Sequence, residues 1–177
     1  AETVTGPYDI IARVEAGSES VSVETLDARK LADVARDIAG SFGKTGRDIQ
    51  FRDESPDGFG VRANLVLCRI VLRNLFDNAL RHAQPGLPID VRFSSRNEGL
   101  AIDITDRGPG IDAELLSHLG TPFLTGNRPA ATTGRTGLGL AIARAATVAQ
   151  GGTIDFRSGA CQGTTVALWL PRCRGDE

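Results

Sequence analysis

Two asparagines one helical turn apart, Asn74 and Asn78, are the side chains of this sequence that first suggest chemistry. If the segment is helical, Arg81 and His82 share their stripe, because positions i, i+4, i+7 and i+8 lie on one side of a helix. Asparagine is a poor helix former, so solubility does not explain the pair. An amide oxygen suits Mg²⁺, and the two basic side chains could neutralise phosphate oxygens. The stripe indicates a cation and phosphate site, with a solvated helix face as the alternative.

Two glycine-containing segments follow this stripe along the chain. Asp106 enters the turn Arg107-Gly108-Pro109-Gly110, where an ionised carboxylate could accept a hydrogen bond from an exocyclic amine such as that of adenine. The run from Gly134 to Leu140 leads into a predicted helix, whose N-terminal N–H groups and dipole favour an anion. Either segment alone is also typical of an ordinary turn or loop. The three segments in this order predict a site for ATP and Mg²⁺ without a Walker loop.

Other nucleotide-binding motifs fail on their context. A Walker loop at Gly43-Lys44-Thr45 would need a glycine five residues before Gly43, where Ile38 stands. A Rossmann fingerprint at Gly137-Leu138-Gly139 would need glycine or alanine at Ile142, and a strand instead of a loop before it. The chain also has only two histidines, which excludes a histidine-rich metal cluster.

The bulk composition is that of a soluble globular protein. The length of 177 residues suits one domain, and the contents of 41% hydrophobic and 24% charged residues are ordinary. A net charge of −2 argues against a nucleic-acid-binding module, which would present a basic face. Three widely spaced cysteines fit reduced thiols in a cytosolic compartment better than a disulfide framework. No apolar run approaches the roughly 20 residues that span a bilayer.

Hydrophobic periodicity and turn residues predict the order of the elements. Asp27 and Asn64 are the predicted N-caps of two helices, and Gly43 ends the first. We predict turns at residues 54–60 and 97–99, and a loop over residues 121–136. Helices are predicted between Asp27 and Gly43 and at residues 65–83, 111–119 and 137–149, with strands at residues 48–53, 87–94, 100–105, 153–157 and 164–170. This order predicts an α+β two-layer sandwich with a mixed sheet and a final hairpin.

Taken together, these segments resemble the catalytic ATP-binding domain of two-component sensor histidine kinases. That domain belongs to the superfamily shared with DNA gyrase, MutL and a heat-shock chaperone. The resemblance extends over residues 27–171, and the order and spacing of its motifs match throughout. The matching segments are residues 74–82 for the N box, 106–111 for the first glycine box, 122–123 for the F box, 134–140 for the second glycine box and 163–164 for the last.

The resemblance implies a role for each motif residue. Asn78 would coordinate Mg²⁺, Asn74 would support the ion and the phosphates, and Arg81 and His82 would contact the phosphates. Asp106 would recognise the adenine amine in a pocket shaped by Gly108, Gly110 and Ile111, and residues 123–136 would form an ATP lid. The other implied ATP-site residues are Phe123, Thr125, Arg128, Gly134, Arg135, Thr136, Gly137, Leu138, Gly139, Leu140 and Thr164. The implied fold is a Bergerat-type sandwich of about five strands and about three helices.

The implied activity is phosphoryl transfer from ATP to a histidine, with Asn74, Asn78 and Arg81 as the catalytic residues. ATPases of the superfamily typically carry a glutamate where this chain has Asn74, and an amide cannot take a proton from water at neutral pH. Asn74 therefore argues against assigning this chain to the ATPases or the serine kinases of the superfamily. One departure is Thr125, at a lid position where the family often has Arg or Lys; Arg128 or Arg135 could replace it.

The phosphoaccepting histidine of the family is missing from this chain. Such a histidine is normally followed by Glu or Asp, whereas His82 precedes Ala83 and His118 precedes Leu119. We therefore expect residues 1–24 to be a remnant of a dimerisation helix or linker, with residues 8–16 as the end of a helix. Residues 25–177 would be the catalytic domain.

The resemblance also implies partners. They are the dimerisation and phosphoacceptor domain of the chain's own full-length kinase, and a response regulator. The isolated domain is expected to be a cytoplasmic monomer, and the full-length protein a homodimer that could be a membrane-anchored sensor. The alternative function is a nucleotide-sensing module that does not transfer phosphate.

Overall fold

The computed structural model describes residues 9, 12, 21–43, 48–111, 138–159 and 162–173. Three helices and seven strands are formed by these residues. The helices are α1 (Ala28–Ser41), α2 (Leu65–His82) and α3 (Leu138–Ala149), and the strands are β1 (Glu24–Asp27), β2 (Ile49–Glu54), β3 (Gly60–Ala63), β4 (Ile89–Arg96), β5 (Gly99–Asp106), β6 (Thr153–Ser158) and β7 (Thr164–Pro171).

Five of the strands form one mixed sheet in the order β2-β4-β5-β7-β6. β2 and β4 are parallel, and every other neighbouring pair is antiparallel. Val91 pairs with Ile104 and Phe93 with Ile102, and all four side chains are buried on the face that packs against the helices. The predicted α+β two-layer sandwich, with a mixed sheet of five strands and three helices, is confirmed.

Local sequence signals explain most of these elements. Asn64 is the N-cap of α2, and its side-chain oxygen accepts a hydrogen bond from the Leu67 N–H at 3.0 Å. Asp27 caps α1 in the same way. The turn between β4 and β5 has positive φ at both Asn97 (50°) and Glu98 (54°), the geometry of a tight β-hairpin. Both predicted caps and the predicted turn are therefore confirmed.

A second, two-stranded sheet was not predicted. β1 and β3 pair antiparallel, and Val61 of β3 also forms an isolated bridge with Arg172 beyond the end of β7. Gly60 of β3 was predicted to end a turn, and β1 lies where no clear pattern exists. Strands of four residues are too short for periodicity to reveal, and these two exist only because distant segments meet.

Smaller differences concern boundaries and coverage. α2 ends at His82, one residue before the predicted end, and β4 begins at Ile89, two residues after its predicted start. The predicted helices at residues 8–16 and 111–119 lie outside the described residues, apart from Asp9, Ala12 and Ile111, and so does the loop at residues 121–136. None of the described helices is long and apolar enough to cross a membrane.

Gln150, directly after α3, joins the C-terminal end of α3 to the N-terminal end of α2. Its buried side-chain oxygen accepts hydrogen bonds from the Asn64 N–H at 2.9 Å and from the Cys68 thiol at 3.5 Å. Its side-chain nitrogen donates to the Ala146 carbonyl at 3.1 Å. Burial raises the pKa of Cys68 to about 12, so this thiol stays protonated as a donor. The contact sets α2 and α3 side by side in opposite directions.

A tight turn follows β5, and Gly110 allows it to lie against the β6–β7 hairpin. Gly110 has a φ of +81°, which L side chains rarely adopt, and a Cβ at this position would overlap the carbonyl oxygen of Gly159. Gly86, in the connection between α2 and β4, has a similar φ of +80° but no atom within 4 Å of an added Cβ. A side chain at Gly86 would therefore cause backbone strain alone, whereas one at Gly110 would cause backbone strain and a steric overlap.

We predict that Gln150→Met destabilises the protein, because it leaves the half-buried Asn64 N–H and the buried Cys68 thiol without their shared acceptor. An unsatisfied buried donor costs about 1–3 kcal/mol of the free energy of unfolding, which urea denaturation would measure. Gln50→Met is the matched control, since Gln50 is exposed and its side chain bonds, among the described residues, only to the exposed Asp48. We expect a change within about 0.5 kcal/mol. Equal losses in the two variants would contradict the proposed importance of the Gln150 contact.

We also predict that Gly110→Ala is more harmful than Gly86→Ala. Both substitutions force an alanine into the left-handed region at a cost of about 1–2 kcal/mol. Gly110→Ala adds the overlap with Gly159, for which about 1–3 kcal/mol more is expected. Denaturation midpoints of the two variants test this difference, and a Gly110→Ala variant as stable as Gly86→Ala would show that the turn is not held against the hairpin.

Candidate functional site

The predicted polar stripe lies along α2, where one helix carries all four of its residues. Asn74 and Asn78 are half-buried, and Arg81 and His82 are exposed in the last turn. From Asn74 to His82 the helix rises by about 12 Å, at 1.5 Å per residue. The opposite side of the same helix is buried in the core, through Val71, Leu72, Leu75, Phe76 and Ala79 among others. Core packing thus fixes the direction in which the stripe faces.

At one end of the stripe, Asn74 lies against the start of α3. Its side-chain nitrogen donates to the Ile70 carbonyl of its own helix at 2.8 Å. Its side-chain oxygen faces Gly139, since a Cβ there would lie 3.0 Å from that oxygen. A side chain at residue 139 would press on the amide, so glycine lets the first turn of α3 approach α2. The N–H groups of that turn have no partners within the helix and carry its positive dipole end.

Asn78 follows one turn later, and its amide has a different environment. Among the residues that the structure describes, none forms a hydrogen bond with the Asn78 side chain, which is half-buried. By contrast, both ends of the amide of Asn64, the N-cap of the same helix, form hydrogen bonds. Its oxygen accepts from the Leu67 N–H and its nitrogen donates to the Ser22 carbonyl. A half-buried amide oxygen that forms no hydrogen bond with the described residues can bind a ligand. Hydrated Mg²⁺ is one such ligand, because it coordinates oxygen atoms.

Arg81 forms an ion pair that sequence reasoning missed. Its Nε lies 2.8 Å from Oδ2 of Asp77, four residues earlier on α2, and the two side chains are 48% and 46% exposed. The spacing of four residues could have indicated this pair. Pairs of this kind contribute only about 0.3–0.5 kcal/mol, so the guanidinium can exchange Asp77 for a more strongly charged partner.

At the other end of the stripe, the turn after β5 packs on the end of α2. A Cβ on Gly108 would overlap the carbonyl oxygen of His82, which shows how closely the two segments approach. Asp106, just before this turn, is only 3% exposed, and its Oδ1 accepts a hydrogen bond from the Gly108 N–H at 2.9 Å. Ile111, at the far end of the turn, is half-buried.

Burial raises the pKa of the Asp106 carboxyl above its usual range, because a low-dielectric surrounding disfavours the charged form. The backbone N–H groups of Gly108 and Thr164 and the charge of His82 act in the opposite direction and partly offset this rise. The carboxyl group of Asp106 is thus enclosed by the turn after β5 and by the start of β7. It can accept a hydrogen bond once it is ionised.

Ser158, the last residue of β6, holds the turn and was not identified from the sequence. Its Oγ accepts a hydrogen bond from the Ile111 N–H at 2.7 Å and donates to the Gly163 carbonyl at 2.9 Å. It also lies 3.1 Å from Oγ1 of Thr164, a predicted site residue that is 5% exposed. The sequence signal for Ser158 was a polar residue at the end of a predicted strand. This feature is too common to identify a functional residue.

The structure therefore brings together two groups of predicted site residues along α2. The group at α3 contains Asn74, Asn78, Gly139 and, one residue further along α3, the half-buried Leu140. The group at the β5 turn contains His82, Asp106, Gly108, Gly110, Ile111 and Thr164. The predicted residues Phe123, Thr125, Arg128, Gly134, Arg135, Thr136 and Gly137 lie outside the described residues, and Leu138 is described as the first residue of α3 only.

A metal site made of protein side chains alone is not found in the described part of the chain, which has no group of three or more His, Cys, Asp or Glu residues. A cation at Asn78 would depend on a ligand that brings its own oxygens, as phosphates do. The arrangement suits an elongated ligand with an anionic group at one end and a hydrogen-bond donor at the other. A helix N-terminus lies beside one end of the stripe, and an enclosed carboxyl group lies at the other.

Comparison with known proteins points to one family. The family described as histidine kinase-, DNA gyrase B-, and HSP90-like ATPases matches residues 63–174. Sensor histidine kinase ZraS of Escherichia coli (strain K12) is 32% identical over 154 residues, which are 86% of this chain and 31% of that protein. The C4-dicarboxylate transport sensor protein DctB of Rhizobium meliloti (strain 1021) is 37% identical over 123 residues, which are 68% of this chain and 19% of that protein. The chain thus spans less than a third of the length of these relatives.

Solved structures share the fold. Full-length ShkA in complex with AMPPNP has a TM-score of 0.77 at 22% identity, over 97% of this chain and 35% of that one. The catalytic domain of histidine kinase ThkA has a TM-score of 0.71 at 23% identity, over 86% of this chain and 97% of that one. The motifs, the two-layer fold and the family match agree, and the chain belongs to the histidine kinase-, DNA gyrase B-, and HSP90-like ATPase family, as the ATP-binding domain of a histidine kinase.

Proposed function

We propose that this chain binds Mg-ATP along the α2 stripe and transfers the γ-phosphoryl group to a histidine on a separate dimerisation and phosphoacceptor domain. The phosphoryl group would then pass to a response regulator. The observation that carries this proposal is the position of the stripe, between the first turn of α3 at Gly139 and the buried carboxyl group of Asp106. An extended nucleotide has the same order of parts, with phosphates at one end and an amine-bearing base at the other.

Each residue would act on one part of the nucleotide. Asp106, ionised and held by the Gly108 N–H, would accept a hydrogen bond from the exocyclic amine of adenine. Arg81 would leave Asp77 for a phosphate oxygen, which is the more strongly charged partner. The N–H groups of the first turn of α3 would face the phosphates. These groups position the nucleotide and neutralise its charge, which is most of what phosphoryl transfer requires from a protein.

Asn78 would hold Mg²⁺, and its amide fits that role because no described residue uses it. When bound, Mg²⁺ supplies neutralisation of the charge on the phosphate oxygens. Asn74 would support the same end of the site, where its oxygen faces Gly139. It would not activate water, because an amide is no base at neutral pH. This supports transfer to an acceptor over hydrolysis.

The acceptor histidine would come from another domain. His82 ends α2 beside the Gly108 turn, inside the proposed site, and lacks the following acidic residue of a phosphoacceptor. ZraS and DctB are sensor proteins of which this chain matches a minor part, which supports a longer kinase with further domains. If the chain binds Mg-ATP but transfers no phosphate to any phosphoacceptor domain, it would be a nucleotide-sensing module instead.

Calorimetric titration with a non-hydrolysable ATP analogue, with and without Mg²⁺, tests the site. We expect Mg²⁺ to strengthen binding to the wild-type chain, and we expect Asn78→Ala to remove most of that gain. A loss of about tenfold or more corresponds to about 1.4 kcal/mol. Gln84→Ala is the control, since it removes an exposed amide just after α2. Undiminished, Mg²⁺-dependent affinity in Asn78→Ala would exclude the metal role, and no binding by the wild-type chain would refute the proposed function.

The role of Asp106 predicts a pH dependence and a base preference. Only the ionised carboxylate accepts the amine hydrogen bond, so adenine affinity should fall as the pH drops through the raised pKa of Asp106. This loss should occur at a higher pH than for an ordinary aspartate, whose pKa is about 3.9. Asp106→Asn should bind ATP weakly with no such pH step, and it should affect a GTP analogue less. An equal loss for both nucleotides would show that Asp106 does not recognise the base.

A further inference from the structure

One hydroxyl group, that of Ser158, joins three segments next to Asp106. It accepts from the Ile111 N–H at 2.7 Å, which ends the turn after β5. It donates to the Gly163 carbonyl at 2.9 Å, in the hairpin connection between β6 and β7. Its third partner is the Thr164 hydroxyl at 3.1 Å, at the start of β7.

These three contacts use the full bonding capacity of the serine side chain. A hydroxyl has one donor hydrogen and two acceptor lone pairs. The Gly163 carbonyl takes the hydrogen, the Ile111 N–H occupies one lone pair, and the Thr164 hydroxyl must then donate to the other. Ser94 provides the contrast, because its buried hydroxyl has no hydrogen-bond partner among the described residues. Ser158 is therefore more than a polar residue that happens to end a strand.

The segments that Ser158 joins are those that enclose the carboxyl group of Asp106. Asp106 pairs with Thr164 in the sheet, and its Oδ1 accepts from the Gly108 N–H, at the beginning of the turn whose end Ser158 holds. Gly110 of this turn lies close to the Gly159 carbonyl, so the turn is next to the hairpin that carries Ser158. Without the Ser158 hydroxyl, the Ile111 N–H would lose its acceptor and the turn could move away from β7. The distance between the turn and the Asp106 carboxyl group would change with it.

We propose that Ser158 is a positioning residue that sets the preference for adenine, by holding the turn after β5 at a fixed distance from Asp106 and Thr164. This inference rests on the proposed function, in which Asp106 recognises the base. Ser158 would not contact the phosphate end of the nucleotide, which lies at the other end of the α2 stripe. Its loss should therefore change base discrimination and leave phosphate binding intact, whereas a general loss of structure would affect both.

The test compares Ser158→Ala with Ser158→Thr, which keeps the hydroxyl. It also includes Ser94→Ala, which removes a buried hydroxyl without a hydrogen-bond partner in the described part of the chain. Affinities would be measured for non-hydrolysable ATP and GTP analogues and for inorganic triphosphate, together with the thermal midpoint. We expect Ser158→Ala to lower the ratio of ATP to GTP affinity about tenfold, equivalent to about 1.4 kcal/mol, with unchanged triphosphate binding. Ser158→Thr and Ser94→Ala should keep the wild-type ratio.

The outcomes separate this inference from the proposed function. A wild-type ratio in a folded Ser158→Ala variant, or an equal loss of triphosphate binding, would overturn the positioning role. A wild-type chain that shows no preference for adenine would overturn the base recognition by Asp106 on which this inference rests, and one that does not bind the ATP analogue would refute the proposed function itself. If Ser158→Ala does not fold, Ser158→Cys serves in its place, because a thiol has nearly the same shape but is a weak donor and acceptor. The same loss of the affinity ratio is then expected, and its absence would again overturn the role.

Discussion

The antiparallel packing of α2 against α3 is the contact on which both the core and the candidate site depend. At one end, Gln150 accepts from the Asn64 N–H and the Cys68 thiol, and so joins the end of α3 to the beginning of α2. At the other end, Gly139 brings the first turn of α3 against Asn74. A shift of one helix along the other would break the buried polar contact and move the helix N-terminus away from the stripe. Stability and site geometry are therefore set by the same packing.

Asn64, the N-cap of α2, and Asn74 and Asn78 within the helix show how position decides what one kind of side chain does. Asn64 caps the helix, and its amide accepts a hydrogen bond from the Leu67 N–H and donates one to the Ser22 carbonyl. The side-chain nitrogen of Asn74 donates to the Ile70 carbonyl, and its side-chain oxygen faces the first turn of α3. Asn78, in the middle of the stripe, bonds to none of the described residues. The amide oxygen that is least committed to the fold is also the one proposed to bind the cation.

The base end of the site depends on pairing between strands. Asp106 lies at the end of β5 opposite Thr164, and burial there raises the pKa of its carboxyl group. The turn that follows cannot stay in place through its own sequence, because its glycines permit many conformations. It is held by a hydrogen bond from Ile111 to Ser158, across the sheet end. The β6–β7 hairpin thus fixes the turn that lies beside the buried carboxyl group of Asp106.

The sequence alone was sufficient for features whose causes are local. Helix periodicity and the cap at Asn64 predict α2 and the common direction of Asn74, Asn78, Arg81 and His82, and the turn residues at 97–99 predict the β4–β5 hairpin. The order and spacing of the sequence motifs along the chain were enough to recognise the family, because they match those of known members.

Only the tertiary structure decided the features that need distant partners. Gln150 reaches Asn64 across 86 residues, and Ser158 reaches Ile111 across 47. The strands β1 and β3 are too short to be recognised before they pair. No local pattern marks such contacts, since the free energy that selects them arises when buried polar groups find partners that the chain itself brings from far away.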